Sequence, residues 1–318
     1  MSINYVQSSS KSTATNFDVV IIGGGAAGLS SALWCAELGL KALLLEKTAE
    51  LGGQLLWTHN SIKNHLGIEA ENGREMRDIF VRQSENYNFD ICLNAEISRV
   101  DLANKTIMLE NGRNISAQAI ILATGVKRRK LNVEGEEEFR NRGIIDSGKR
   151  DGQLVKGKNA VVVGGGDAAL ENALILSETS LSVTLVHRRA GFSARSKFLE
   201  QARDNPKIKI LTDTTLQKIV GSEQVEAVEL KNHYTNKTQI LSVEAVLIRI
   251  GVEPNTNALR GEIDLDKQGY IKINCNCETN VGHIFAVGDV ANPLSPTISS
   301  AVGMGAAAAK VIFARLNS

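Results

Sequence analysis

Two glycine-rich turns carry the chemistry that is legible first in this 318-residue chain. In VVIIGGGAAGLSS, Gly23, Gly25 and Gly28 have the spacing G-x-G-x-x-G; in VVVGGGDAALE, Gly164, Gly166 and Ala169 have G-x-G-x-x-A, with Asp167 opening the following helix. That spacing suits a pyrophosphate. The first glycine permits a tight strand-to-helix turn, the second lets backbone approach the phosphates, and the third small residue lets helix pack on strand. The helix N-terminus adds amide donors and the positive end of its dipole. One such turn is weak evidence, but here the offset from Gly23 to Gly164 equals that from Glu46 to His187. The end of each second strand then separates the two sites. A carboxylate at Glu46 accepts from both hydroxyls of an adenosine ribose and repels a 2′-phosphate, which assigns FAD or NAD to the first turn. His187, Arg188 and Arg189 offer the second site imidazole and guanidinium donors suited to a phosphate, which assigns NADPH there. Away from this offset such an arginine pair reads as a solvated surface feature.

The elements that position these residues form an internal repeat. FDVVIIGGGAAGLSSALWCAELGLKALLLEK and KNAVVVGGGDAALENALILSETSLSVTLVHR align without a gap. Each is a buried apolar strand, a glycine turn, a helix with an apolar stripe and a second apolar strand. The fold class expected is α/β, with two Rossmann-like dinucleotide-binding domains. Residues 1–16, rich in serine and threonine, read as a flexible lead-in outside the fold and lack the hydrophobic core of a signal peptide. Bulk composition excludes other classes: 43% hydrophobic and 22% charged residues are ordinary for a globular chain. A net charge of +1 provides no general field for nucleic acid, so a charge-guided partner must use a local patch. No apolar run is read as long enough to span a bilayer. Four cysteines, Cys35, Cys92, Cys275 and Cys277, are too few for a disulfide framework and fit a reducing cytoplasm. His65, His233 and His283 give no metal-ligand spacing.

Five further motifs, in order, give the chain a resemblance to the low-molecular-weight thioredoxin reductase group of two-dinucleotide flavoproteins, over nearly all of its length after the lead-in. ELGGQL, with Gly53 and Gln54, resembles the segment beside the flavin, and ILATG, with Thr124 and Gly125, resembles the end of the first FAD segment. VHRRAGFSA is similar to the NADPH pattern H-R-R-x-x-F-R-A, and GVEPNT resembles the return crossing between domains. TNVGHIFAVGDV, with Gly288 and Asp289, resembles the motif whose aspartate holds the ribityl chain of FAD. The resemblance implies a discontinuous FAD domain, residues 17–126 and 254–318, with an NADPH domain at 127–253 inserted in it, and a homodimer. It also implies that a helix beginning near Pro296 and Thr297 aims its N-terminus at the flavin pyrimidine.

The departures are as informative. Where the resembling reductases read C-A-T-C-D-G, this chain reads SGKRDG: Ser147 and Arg150 stand in the two cysteine positions, while Asp151 and Gly152 remain. A hydroxyl and a guanidinium cannot perform two-electron dithiol chemistry, which excludes standard thioredoxin reductase activity at this position. Cys275 and Cys277, on a predicted strand GYIKINCNC, point to one face at a separation near the bridging limit. The third arginine of the NADPH pattern is replaced by Ser193, with Arg195 two residues on, and Pro296-Thr297 replaces the Arg-Gln pair before the flavin-facing helix. No catalytic residue is fixed. Trp57 and His59 fit either stacking on or protonating the flavin, or a blander reading as a tryptophan packed at the domain junction and a surface histidine, and Asp151 is a third candidate. The run Lys127 to Lys130, KRRK, fits either a solvated hinge or a dock for an acidic carrier such as ferredoxin or flavodoxin. The reading that follows is an NADPH-dependent FAD oxidoreductase that reduces its acceptor directly. The alternatives are a disulfide oxidoreductase with relocated thiols and a non-catalytic FAD/NADP-binding module.

Overall fold

Val19 and Ile21 enter one apolar cluster, whereas Val20 and Ile22, their neighbours on the same strand, enter another with Leu43 and Leu45. Successive strand residues face opposite sides. A strand apolar on both sides must therefore lie in a sheet covered on both faces, which favours a parallel, doubly wound arrangement. A computed structural model describes residues 4–5 and 15–317 of the chain. It divides into two compact units, Met1–Lys127 with Glu253–Ser318, and Arg128–Val252.

The first unit opens with β1 (Asn4–Tyr5), β2 (Thr15–Ile22), α1 (Ala26–Glu37), β3 (Ala42–Leu45), α2 (Gly73–Ser84) and β4 (Asp90–Cys92). It continues with β5 (Ile97–Asp101), β6 (Thr106–Leu109) and β7 (Asn114–Leu122). These strands lie in the order β1-β4-β3-β2-β7-β6-β5, parallel except for the antiparallel run β5-β6-β7. The lead-in enters this sheet at two points, contrary to its exclusion on sequence grounds. Asn4 and Tyr5 pair with Asp90 and Ile91, and Thr15 and Asn16 extend β2 alongside Ile115 and Ser116. A strand edge with unpaired amides and carbonyls is a template that polar residues can complete without any apolar pattern. The rest of the lead-in, residues 1–3 and 6–14, lies outside the described residues.

The chain leaves through β8 (Val126–Arg128). It builds β9 (Ile144–Ile145), α3 (Gly148–Asp151), β10 (Asn159–Gly164), α4 (Asp167–Thr179), β11 (Ser182–Val186), α5 (Ser196–Asp204) and β12 (Ile208–Leu211). Three antiparallel strands follow, β13 (Thr214–Gly221), β14 (Val225–Asn232) and β15 (Thr238–Ser242), and then β16 (Ala245–Arg249). The second unit has a five-stranded parallel sheet, β12-β11-β10-β16-β9. Val162 faces α4, while Val161 and Val163 face the three-stranded sheet.

The chain returns through β17 (Val252–Pro254), adds β18 (Ile284–Ala286) parallel to β7, and ends in α6 (Ile298–Leu316). With 19 residues and a mean hydropathy of 1.2, α6 is long and apolar enough to cross a membrane by length and composition alone. This corrects the reading that no run reaches that length. Alanine supplies much of that hydropathy, and the small residues of this helix serve close packing on α1. A Cβ on Gly305 would lie 2.5 Å from the Ala27 carbonyl oxygen, and Ser30 Oγ donates to the Val302 carbonyl at 2.7 Å.

Candidate dinucleotide sites and the segment between the crossings

At the first turn, Gly23 adopts φ +112°, and a Cβ there would sit 2.3 Å from the Ala123 carbonyl oxygen. A Cβ on Gly28 would meet the Gly23 carbonyl oxygen at 1.8 Å, so α1 packs directly on the end of β2. Gly25 caps α1 without any side-chain hydrogen bond, which leaves the first-turn amides to an anion. Glu46 is buried and fixed: Oε2 accepts from Gly24 N at 2.8 Å, and Oε1 accepts from Thr48 N and Oγ1, both at 2.9 Å. Oε1 thus already accepts two bonds, and Oε2 keeps an acceptor site for a ribose hydroxyl.

The flavin-segment residues gather around the same turn. Gly52 N donates to the Gly24 carbonyl at 2.9 Å, which seats the 3₁₀ helix Gly53–Trp57 beside it, and Gln54 Nε2 donates to the Val126 carbonyl at 2.8 Å. Thr124 Oγ1 donates to the Asn255 carbonyl at 3.1 Å, while Asn255 N donates to the Gly125 carbonyl at 3.0 Å, clamping ILATG to GVEPNT. Gly288 (φ +72°) lies against Ala27, where a Cβ would approach to 2.9 Å. Asp289 is half-buried and has no side-chain hydrogen bond among the described residues; burial pushes its carboxyl above the ordinary range. A carboxylate so placed suits a hydroxyl-rich ligand chain that brings its own donors. Thr297 caps α6, accepting from Ser300 N at 3.1 Å, with Ser300 Oγ accepting from Thr297 N at 3.2 Å. Trp57 ends its 3₁₀ helix 52% exposed, and His59 is half-buried.

At the second turn, a Cβ on Gly164 would lie 2.1 Å from the Arg249 carbonyl oxygen, and one on Gly165 would strike the His187 ring at 2.1 Å. His187 is stacked on Phe192 at 4.7 Å between centroids, with Nε2 3.0 Å from the Gly191 carbonyl. Gly166 caps α4 without a side-chain bond, like Gly25 in the first copy. Asp167 is held by Arg195, which reaches it through its backbone N and its Nε, both at 2.7 Å. Ser193 N donates to the Gly165 carbonyl at 2.9 Å. Loop 187–195 is thus tied to the glycine turn. Arg188 and Arg189 are exposed, and among the described residues their guanidiniums form no hydrogen bond or ion pair.

The segment read on sequence grounds as standing in the dithiol position is a short capped helix. Ser147 is the N-cap of α3, its Oγ accepting from Arg150 N at 3.3 Å, and Gly148 N donates to Asn172 Oδ1 at 2.7 Å. Arg150 forks onto Asp151, Nε to Oδ1 at 2.6 Å and Nη2 to Oδ2 at 2.9 Å, and also reaches Asp146 at 3.1 Å. Asp151 is 5% exposed, and its Oδ2 further accepts from Asp146 N at 2.8 Å and Ser147 N at 3.0 Å. Burial pushes this carboxyl up, but the Arg150 fork and the two amides outweigh it and hold it below the usual carboxylate range. Such a group is an anchor at neutral pH rather than a proton donor.

The cysteines are free. The strand expected at GYIKINCNC is a turn: Asn274 Oδ1 accepts from Asn276 N at 2.9 Å and Glu278 N at 3.0 Å, and Cys277 takes φ +62°. Asparagine competes with the ladder for the local amides, which the apolar alternation did not register. Cys275 is exposed and Cys277 buried, its thiol pushed up by burial and 3.9 Å from the Met304 carbonyl. Cys35 is buried on α1, with its pKa pushed up to about 12 by burial and by Asp18. The sequence reading missed a cluster at Asp146, whose carbonyl accepts from both Arg128 and Arg249. The signal available was a lone arginine in the otherwise apolar AVLIRIG.

Comparison with known proteins agrees with this geometry. The family model for pyridine nucleotide-disulphide oxidoreductases matches residues 17–305. A thioredoxin reductase from Mycolicibacterium smegmatis is 36% identical over 298 residues, 92% of this chain and 94% of that protein. The 34.2 kDa protein in the rubredoxin operon of Clostridium pasteurianum is 32% identical over 92% of this chain and 94% of its own length. The crystal structure of Lactococcus lactis thioredoxin reductase in its FR conformation superposes with a TM-score of 0.84 at 32% identity, covering 94% of this chain and 98% of that one. The chain therefore belongs to the pyridine nucleotide-disulphide oxidoreductase family, as a thioredoxin reductase-like flavoprotein with FAD and NADPH as the cofactors of its kind.

Proposed function

We propose that this oxidoreductase takes electrons from NADPH and passes them through FAD directly to an acceptor, with no protein dithiol between. The observation that carries the reading is the fate of the two cysteine positions, a helix cap at Ser147 and a buried carboxylate's partner at Arg150. When bound, the flavin supplies two-electron uptake from reduced nicotinamide and delivery onward. The chain's own residues then bind and orient. The first-turn amides and Glu46 hold the pyrophosphate and ribose of FAD, Asp289 accepts from its ribityl hydroxyls, and Gly53, Gln54, Thr124, Gly125, Gly288 and Thr297 line its path. Gly164, Gly166, Asp167, Ala169 and His187 form the NADPH cradle, and Arg188 and Arg189 hold the 2′-phosphate.

The acceptor we favour is a small acidic electron carrier of the ferredoxin or flavodoxin kind, with a small molecule as the alternative; a relative whose name places it in a rubredoxin operon supports a carrier protein. Docking would not rest on the KRRK run as a whole. Lys127 is paired with Glu253 at 3.2 Å, Lys130 with Glu137 at 2.6 Å and Arg128 with Asp146 at 3.4 Å, which leaves Arg129 as its exposed cation without a carboxylate. A homodimer is part of the proposal, by family likeness. Relocated thiols are disfavoured by the split exposure of Cys275 and Cys277. A purely binding role sits poorly with two complete glycine turns.

Anaerobic titration with NADPH, and separately with NADH, tests the reading. Loss of flavin absorbance with NADPH at far lower concentration than with NADH is expected. A flavin that dithionite reduces but neither nucleotide touches would overturn it.

A further inference from the structure

The second unit contains a cleft of about 100 Å³ that uses no residue of its glycine turn and none of His187 to Arg189. It opens at the C-terminal ends of β9 and β16, the end of a parallel sheet where ligands bind in doubly wound folds. Its walls carry five cations, Arg128, Arg129, Lys130, Arg140 and Arg249, against two carboxylates, Glu136 and Asp146. Neither carboxylate neutralises the interior. Glu136 is buried and turned to backbone, accepting from Leu131 N at 3.1 Å and Asn132 N at 2.6 Å. Asp146 is divided between Arg128 at 3.4 Å and Arg150 at 3.1 Å. Lys130 and Arg140 are both engaged with Glu137.

Arg249 and Arg129 are left over. Arg249 donates to the carbonyls of Ile248 and Asp146, Arg129 donates to the carbonyl of Val252 at 2.8 Å, and among the described residues neither has a carboxylate within ion-pair distance. Burial together with the charge of Arg128 pulls half-buried Arg249 down to about 10 against the opposing charges of Asp146 and Asp151, so it is still charged at neutral pH. Partial burial of a guanidinium with no ion-pair partner is costly, and a bound anion is a group that relieves it. Guanidinium forks match the paired oxygens of phosphate and carboxylate alike.

We infer that this cleft is a binding site for a small oxyanion, a phosphate or carboxylate group, held by Arg128, Arg129 and Arg249. The site is separate from the NADPH 2′-phosphate contacts and does not depend on the electron acceptor proposed above. Asp146 links the site to Arg150, because it pairs with both Arg128 and Arg150.

The test is calorimetric titration of the FAD-loaded full chain with inorganic phosphate and, separately, with succinate, at constant ionic strength. One saturable site for at least one anion is expected, the tighter anion identifying the group. Arg249→Gln and Arg129→Gln should each weaken it at least tenfold, whereas the double variant Arg188→Gln, Arg189→Gln should leave it unchanged. Arg129 is exposed, so its variant decides the matter if Arg249→Gln fails to fold. No saturable binding of either anion would overturn the inference. So would binding that survives Arg129→Gln but is lost in the Arg188, Arg189 double variant.

Discussion

Arg188 and Arg189 reach solvent with no partner among the described residues, and Asp289 is half-buried with none. Under the proposed function, both are groups whose interactions a ligand completes. A charge-assisted hydrogen bond contributes about 1.5–3 kcal/mol. Replacing both arginines with glutamine should therefore reduce the preference for NADPH over NADH by about ten- to a hundredfold in kcat/KM. Steady-state rates with each nucleotide check this, and an unchanged preference would mark the pair as a surface feature. Asp289 carries a pH signature. Burial raises its folded pKa, so in the flavin-free protein its charged form costs stability. That cost begins as pH rises past the unfolded value of about 4 and is complete above the folded pKa. Asp289→Asn should thus raise the melting temperature of flavin-free protein at pH 7 while weakening FAD retention, and the gain should vanish at pH 3. Melting curves of the two apoproteins across this range, with flavin content after purification, decide it.

At the scale of elements, α3 is held by its N-cap, by the Gly148 bond to Asn172 and by the ion pairs of Arg150 with Asp151 and Asp146. Arg150→Ala would strand the buried Asp151 carboxylate on two amide donors, at a cost of about 1–3 kcal/mol near neutral pH. Asp151 has a lowered pKa in the fold, so its contribution is present above the unfolded value of about 4 and is lost as pH falls through the folded one. Urea denaturation should show the gap between wild type and variant intact at pH 6 and closing only below about pH 4. A gap that closes already near pH 6 would mean another group is responsible. These elements also mark how far the sequence could be read. The repeat around Gly23 and Gly164 was legible because a glycine turn between apolar strands has few alternatives, and the cysteine absence was legible as letters. What replaced the cysteines was not. That Ser147 caps a helix and Arg150 forks onto Asp151 depends on a four-residue helix with no apolar period to announce it. The Asp146 cluster was hidden for a further reason, because its members come from residues 128, 146 and 249, which only the sheet order of β9 beside β16 brings together. The same limit applies to Cys277, where a local asparagine turn overrode a strand-like alternation.

At the scale of the whole molecule, the question is one of electron capacity. A reductase of this fold that uses a dithiol stores electrons in two places, the flavin and the disulfide. Here the four cysteines are free thiols, with Cys35, Cys92 and Cys277 buried and Cys275 exposed, and no disulfide is present to accept a second pair. Replacing all four with serine should lower stability through the buried positions yet leave NADPH-dependent flavin reduction unchanged in rate. The most direct measurement is an anaerobic reductive titration of the FAD-loaded protein with dithionite, counting equivalents to full bleaching and then assaying thiols. Complete reduction at a single two-electron equivalent per flavin is expected, with a thiol count identical before and after. Uptake of a second two-electron equivalent, accompanied by two new thiols, would contradict direct transfer from flavin to acceptor.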